Sequence, residues 1–122
     1  MVVEDDRDAR ETLAMALAQS GYAVDIVGDG REALGRLGSW PADVLVSDVN
    51  MPRMDGLQLI QAMRASGRNQ PVVLISGGEP DQLRRAAAFG ASACLRKPMS
   101  LDELIWAIEC ALACRERTPE LH

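Results

Sequence analysis

The sequence holds one histidine, and it is the last residue, His122. A mechanism built on a buried imidazole base, a histidine-rich metal site or a phosphohistidine of the chain's own is therefore excluded for these 122 residues. Cysteine is scarce too. Cys94, Cys110 and Cys114 are an odd set in no disulfide-like framework, which suits a reducing cytoplasm. No apolar run approaches the roughly 20 residues of a membrane span. No basic stretch followed by an apolar one opens the chain, so no secretory leader is expected. Positive charge is in deficit: 13 Lys and Arg against 18 Asp and Glu leave a net charge of −5. That argues against a surface made to neutralise nucleic-acid phosphates or anionic lipid. Internal repeats, linkers and low-complexity segments are missing as well. With 48% hydrophobic and 25% charged residues, what remains is the composition of one ordinary globular domain.

What is present is an alternation of apolar runs and helical patterns. Met1 to Val3 is a short apolar run that stops at Glu4-Asp5-Asp6. Helical spacing follows over residues 8–20, through Ala9, Leu13, Ala16 and Leu17, with Asp6 and Asp8 assigned mainly to starting that helix. Tyr22 to Val27 alternates like a strand. A short helix over 30–37 is opened by Asp29 and Glu32, placed as a capping box. Val44 to Val46 is the next strand core, ending at Ser47-Asp48, and Leu57, Ile60 and Met63 mark a third helix. Pro71 to Ile75 is continuously apolar, as a strand buried on both faces is. Pro80 suits the first position of a fourth helix that ends at Phe89. Ala93 to Leu95 is a last strand. Ser100 and Glu103 form another capping box, ahead of a helix with Leu101, Leu104, Ile105, Ile108 and Leu112 on one face. Gly21, Gly38, Gly67 and Gly90 each follow a helix, where a left-handed residue is favoured. Five strand–helix repeats predict an α/β fold, a five-stranded parallel sheet with helices on both faces.

Ligands of such sheets bind outside the carboxyl ends of the strands. At those ends stand Glu4, Asp5 and Asp6 after the first strand, Asp48 after the third, Ser76-Gly77-Gly78 after the fourth and Lys97 after the fifth. Any one of these is well explained as a helix cap, turn residue or solvated loop residue. Their joint placement at one sheet edge is what singles them out. If the first and third strands are neighbours, Glu4, Asp5 and Asp48 converge and repel one another unless a cation intervenes. Oxygen donors without a soft ligand describe Mg²⁺. A carboxylate beside such an ion and a lysine is arranged for phosphoryl transfer, with Ser76 able to donate a hydrogen bond to the product.

These residues carry a pattern that resembles the receiver domain of two-component response regulators, the family of the bacterial chemotaxis regulator. The matching segments are Val2-Val3-Glu4-Asp5, the run from Val44 through Asp48 to Asn50-Met51-Pro52-Arg53-Met54-Asp55-Gly56, Val73-Leu74-Ile75-Ser76-Gly77, Gly90-Ala91-Ser92-Ala93 and Lys97-Pro98. The likeness covers residues 1–114 as the receiver domain and leaves 115–122 as a tail. It implies strand order 2-1-3-4-5 in a flavodoxin-like, doubly wound fold with five helices. It implies a phosphoacceptor at Asp48, and Mg²⁺ (or Mn²⁺) held by Asp5, by Glu4 directly or through water, by Asp48, and by the backbone carbonyl of Asn50. Ser76, followed by Gly77, stands at the family's switch position. Lys97 stands where a lysine pairs with the phosphoryl oxygens, and the Lys97–Pro98 bond is expected to be cis. The sequence departs from the family at Cys94, where an aromatic side chain that changes rotamer on activation is usual. The first strand also starts abruptly before Glu4, which suggests a chain cut from something longer or one whose true start is not shown.

The function implied is that of a signalling switch rather than an enzyme. A sensor histidine kinase or histidine phosphotransfer protein is expected to phosphorylate Asp48, and the face around the fourth helix, last strand and fifth helix to respond. That face could support a homodimer, and an output domain or protein target could read it. A stand-alone regulator and a receiver from a hybrid histidine kinase or multidomain regulator both fit. No nucleic acid or membrane contact is expected, and a cytoplasmic location is. Gly77 and Gly78 leave the phosphoryl group open to water, so a fairly short-lived phospho-form is expected. Met51, Met54 and Met99 are read as gap-filling, Trp106 as exposed, and Cys110 and Cys114 as small packed hydrophobes. Two other readings are weaker. A phosphatase of the haloacid dehalogenase type needs an aspartate two residues after its nucleophile, where Asn50 stands. A dinucleotide site at Gly28-Asp29-Gly30-Arg31-Glu32-Ala33 follows the second strand instead of the first and faces its phosphates with Asp29.

Overall fold

In a computed structural model, residues 1–77 and 79–117 are described. The elements run β1 (Val2–Val3), α1 (Arg7–Gln19), β2 (Ile26–Val27), α2 (Gly30–Leu37), β3 (Leu45–Asp48), α3 (Gly56–Ala65), β4 (Val72–Ser76), α4 (Pro80–Ala88), β5 (Ala93–Arg96) and α5 (Leu101–Arg117). All neighbours in the five-stranded sheet are parallel and their order is β2-β1-β3-β4-β5. The expected doubly wound architecture is the one observed.

Side chains alternate across a strand, and here the alternation sorts the core into two halves. Val3, Leu45, Val72 and Leu74 face one cluster, completed by Leu37 of α2, Leu57 and Ile60 of α3 and Ala86 of α4. Val2, Val46, Val73 and Ile75 face the other, with Leu17 of α1 and Leu104 and Ile108 of α5. Pro71 to Ile75 reads as an unbroken apolar run because both of its faces are covered.

Local signals account for most boundaries. Asp6 caps α1 by accepting from the Asp8 N–H at 3.1 Å. The Ser100–Glu103 box is present, with the Glu103 N–H donating to Ser100 Oγ at 3.1 Å. Asp55 and Gln58 form a third box, at 2.8 and 3.0 Å, that starts α3. The Asp29 box forms by half. Asp29 accepts from the Glu32 N–H, but Glu32 reaches past the cap to the Gly28 N–H at 3.0 Å. Gly21, Gly67 and Gly90 have positive φ, whereas Gly38 is right-handed at φ −68° and closes α2 without a left-handed turn.

Three other expectations are corrected. The alternation from Tyr22 yields a strand over Ile26–Val27 alone, because β1 offers it a two-residue ladder. Leu101 lies at the rim of α5 and is exposed. Cys110 and Cys114 are exposed instead of turned into the core, since Ala107 and Ala111 occupy the inward positions of that helix. Helix α5 continues through residues 115–117, and residues 118–122, like Gly78, lie outside the described residues. Trp106 is 73% exposed, as its place off the apolar stripe implies. Met51 and Met54 pack against the α2–α4 core and Met99 against the α1–α5 core, which fits their reading as fillers.

One glycine fixes the loop after β3. A Cβ at Gly56 would stand 2.6 Å from the Asp48 carbonyl oxygen, 2.9 Å from Leu74 Cδ2 and 3.1 Å from Val49 Cα. The Gly56 N–H also donates to the Val49 carbonyl at 2.8 Å. The obstructing atoms are mainly backbone at the end of a central strand and cannot swing aside. Gly56→Ala is expected to cost about 3 kcal/mol, the upper end for overpacking, read as a lower urea midpoint with an unchanged slope. An unchanged midpoint would show that the loop yields freely.

Candidate functional site

Strand register and side-chain parity build the site. Val3 is level with Ser47, Asp48 with Ile75 and Ser76 with Arg96, so the carboxyl ends of four strands form one rim. Glu4 shares the side of Val2, Asp48 that of Val46, and Lys97 that of Leu95, all residues of the α1–α5 half. Ser76 shares the side of Leu74 and faces the α2–α4 half. Parity thus gathers Glu4, Asp48 and Lys97 and turns Ser76 toward α4.

The distances follow. Carboxylate oxygens of Glu4, Asp5 and Asp48 lie within 4.8 Å of one another. Asp48 is 7% exposed and Glu4 8%, while Asp5 is open to solvent. Lys97 Nζ stands 3.3 Å from Asp48 Oδ2. Asp48 Oδ1 is buried and has no hydrogen-bond partner among the described residues. Lys97 is positioned from behind: its N–H donates to the Ser76 carbonyl at 2.8 Å, and the Lys97–Pro98 peptide is cis, as the resemblance implies. Arg10 ties α1 to the rim through a 2.9 Å bond from its guanidinium to the Glu4 carbonyl. Beside Glu4 and Lys97 a cleft of about 440 Å³ opens between α1 and α5, lined by Leu13, Met99 and Leu104 among others.

Electrostatics mark the pair of buried acids. Burial pushes the Glu4 carboxyl up to about 7, the Asp48 charge and its close carboxyl group add to the push, and Lys97 and the Asp6 N–H pull the other way. A proton on Glu4 would let it donate to the Asp48 carboxylate. A cation among the three carboxylates would relieve their repulsion without the proton, and the donors are all hard oxygens. The residues fit a divalent ion of that class.

The raised value has a consequence for the metal-free protein. A carboxyl whose folded value lies above its unfolded one contributes most below the unfolded value, here the ordinary 4.5, and that contribution is lost as pH rises through about 7. Without divalent ions, stability is expected to fall between about pH 5 and about pH 8 by on the order of 2 kcal/mol from this group. Glu4→Gln should flatten that slope, with urea midpoints at the two pH values as the measurement. Parallel slopes in the two proteins would place the titration elsewhere.

Ser76 is completely buried, and its hydroxyl donates to Gln82 Oε1 at 2.7 Å. Gln82 Nε2 donates in turn to Asn50 Oδ1 at 2.9 Å. The sequence reading gave Asn50 a backbone role only and did not mark Gln82. The signal was an amide on the inner face of α4, four residues before the buried Ala86. Gly77 is exposed beside the rim. Cys94 packs against the α2–α4 core, and burial pushes its thiol up from its ordinary value, so it behaves as a small hydrophobe there. Asp29, the acid of the glycine-rich segment, is spent on capping α2 and on a 3.2 Å ion pair with Arg53. Among the described residues no helix is long and apolar enough to cross a membrane.

Comparison with known proteins agrees with this geometry. Residues 1–109 match the family model of the response regulator receiver domain. The chain is 38% identical over 121 residues to response regulator MprA of Mycolicibacterium vanbaalenii, covering 98% of this chain and 52% of that protein. The same figures hold for response regulator MprA of Mycobacterium avium. The chain thus spans about half the length of the curated relatives it matches. Among solved structures, the signal receiver domain of the response regulator NarL from Mycobacterium tuberculosis is 34% identical at a TM-score of 0.82, over 90% of this chain and 92% of that one. Chemotaxis response regulator CheY4 of Vibrio cholerae is 30% identical at a TM-score of 0.82, over 90% and 94%. The signal receiver domain of a histidine kinase from Syntrophus aciditrophicus is 31% identical at 0.85, over 99% and 94%. A family match over most of the chain, on a fold and rim already read from its residues, makes this chain a member of the response regulator receiver domain family of two-component systems.

Proposed function

We propose that this domain is a phosphoryl-accepting switch whose acceptor is Asp48. One observation carries the reading: a buried carboxylate with one oxygen 3.3 Å from Lys97 and the other unpartnered, against two further acids. The donor is a phosphohistidine of a sensor histidine kinase or of a histidine phosphotransfer protein. An Asp48 oxygen attacks phosphorus, the new P–O bond forms, and the P–N bond breaks with its electron pair remaining on the imidazole nitrogen. Lys97 orients the attacking carboxylate and neutralises charge on the transferring oxygens. Glu4, Asp5 and Asp48, with the backbone carbonyl that the resemblance assigns to Asn50, would hold Mg²⁺ or Mn²⁺, and that ion supplies further charge neutralisation when bound. The domain turns over no separate substrate; its product is its own phosphorylated form. Exposed Gly77 leaves water a path to the acyl phosphate, in keeping with a short lifetime.

Phosphorylation adds about −1.5 to −2 charges at the rim. The loops after β4 and β5 lead into α4 and α5, so the α4–β5–α5 face is where the response is read, by an output domain, a protein target or a second copy. A stand-alone regulator and a receiver within a histidine kinase or multidomain regulator share this chemistry; similarity to the receiver domain of a histidine kinase and to regulators of which this chain covers about half supports the latter settings. The test is incubation with Mg²⁺ and a small acyl phosphate, followed by peptide mapping. The phosphoryl group is expected on the peptide that contains Asp48; a label elsewhere, or none, defeats the proposal.

A further inference from the structure

The Ser76 hydroxyl carries one proton, and in the resting protein it is committed to Gln82 at 2.7 Å. It cannot also be given to a phosphoryl oxygen on Asp48. Gln82 is 7% exposed and Ser76 is wholly buried, so no bulk water stands ready to replace either partner. Gln82 is the third residue of α4, and the cap residue Glu79 makes no side-chain hydrogen bond to the helix. The first turn of α4 is therefore anchored through Gln82, on one side to β4 and on the other to Asn50 in the loop that follows Asp48. Cys94, in register with Leu74 on β5, has no ring with which to sense a movement of Ser76.

We propose that Gln82 is the positioning residue that couples the phosphoryl site to α4. In the resting state it holds the Ser76 hydroxyl away from Asp48. When that hydroxyl turns to the phosphoryl group, Gln82 loses its donor and the first turn of α4 is released. The hydrogen-bond relay through Asn50 does the work for which this sequence has no aromatic switch. The inference rests on Asp48 as the phosphoacceptor.

The experiment measures the affinity for BeF₃⁻ with Mg²⁺, together with hydrogen exchange of α4 amides. Gln82→Leu keeps the bulk of the side chain and can neither accept nor donate. It should bind BeF₃⁻ about fivefold to tenfold more tightly than wild type, since one hydrogen bond no longer has to be broken. Its resting α4 should exchange at least as fast as that of BeF₃⁻-bound wild type, because the substitution removes the bond to Asn50 as well as the one to Ser76. Gln82→Glu, a stronger acceptor for Ser76, should bind BeF₃⁻ more weakly than wild type. In a Ser76→Ala background the Leu substitution should no longer change the affinity, because the coupling runs through the hydroxyl. Equal affinities of wild type and Gln82→Leu, or the same gain with and without Ser76, overturn the inference. Failure of wild type to bind BeF₃⁻ overturns the phosphoacceptor reading instead.

Discussion

Asp48→Asn is expected to take up no phosphoryl group under conditions that label the wild-type domain fully. The amide oxygen is a poor nucleophile, and the nearby acids cannot replace it. Asp5 is exposed at the edge of the cluster, and Glu4 lies at the end of another strand and does not contact the same lysine nitrogen. Three further results separate a lost nucleophile from a damaged fold. Removing the Asp48 charge takes away the second-largest cause of the raised Glu4 value, so Glu4 should titrate below about 7 yet stay above its ordinary value, because burial remains. For the same reason the metal-free variant should be more stable than wild type at about pH 8, where two ionised acids otherwise face each other. Divalent-ion affinity should fall, because one of three clustered carboxylates is gone. Wild-type labelling of Asp48→Asn would remove the basis of the functional reading.

The rim was legible because its residues are local. Each acid or base follows its own apolar run by one or two positions, and the open-sheet rule then brings the run ends together. The sheet order came from the family resemblance. Parity was latent in the same runs: Val2, Val46 and Leu95 fix the side on which Glu4, Asp48 and Lys97 emerge. What the sequence concealed is contact across elements. Ser76 and Gln82 are six residues apart and Gln82 and Asn50 are 32 apart, and no periodicity links an amide on α4 to a loop after β3. Glu32 carries the spacing of a capping box, yet its carboxylate bonds Gly28 instead of the cap residue, since the box pattern does not specify which of two adjacent N–H groups is nearer. Cys110 and Cys114 were misjudged from residue type. On α5 the small inward positions belong to Ala107 and Ala111, and the thiols fall on the outer face.

Lys97→Met should slow phosphoryl uptake from a small acyl phosphate by about a hundredfold, the loss typical when one preorganised donor to a developing charge is removed. Two effects oppose each other in this variant. Without the ammonium, the Asp48 carboxylate has lost its 3.3 Å partner and is the better nucleophile. The transferring oxygens have lost a positive charge, in a setting with three acids already present. The second effect prevails because the acids that repel the incoming phosphoryl group are fixed, whereas the gain in nucleophilicity is limited to one weakened contact. The Lys97 side chain is half exposed, so Met should be accommodated without loss of the fold. Glu4 reports whether the charge itself matters: Lys97 is the larger of the two influences that lower its value, so in the variant it should titrate above about 7. Lys97→Arg keeps the charge on a broader group and should restore the Glu4 titration more fully than the rate, since in-line transfer needs the cation at one position. A rate within a fewfold of wild type for Lys97→Met, together with a raised Glu4 titration, would mean that the lysine tunes the resting site without taking part in the transfer.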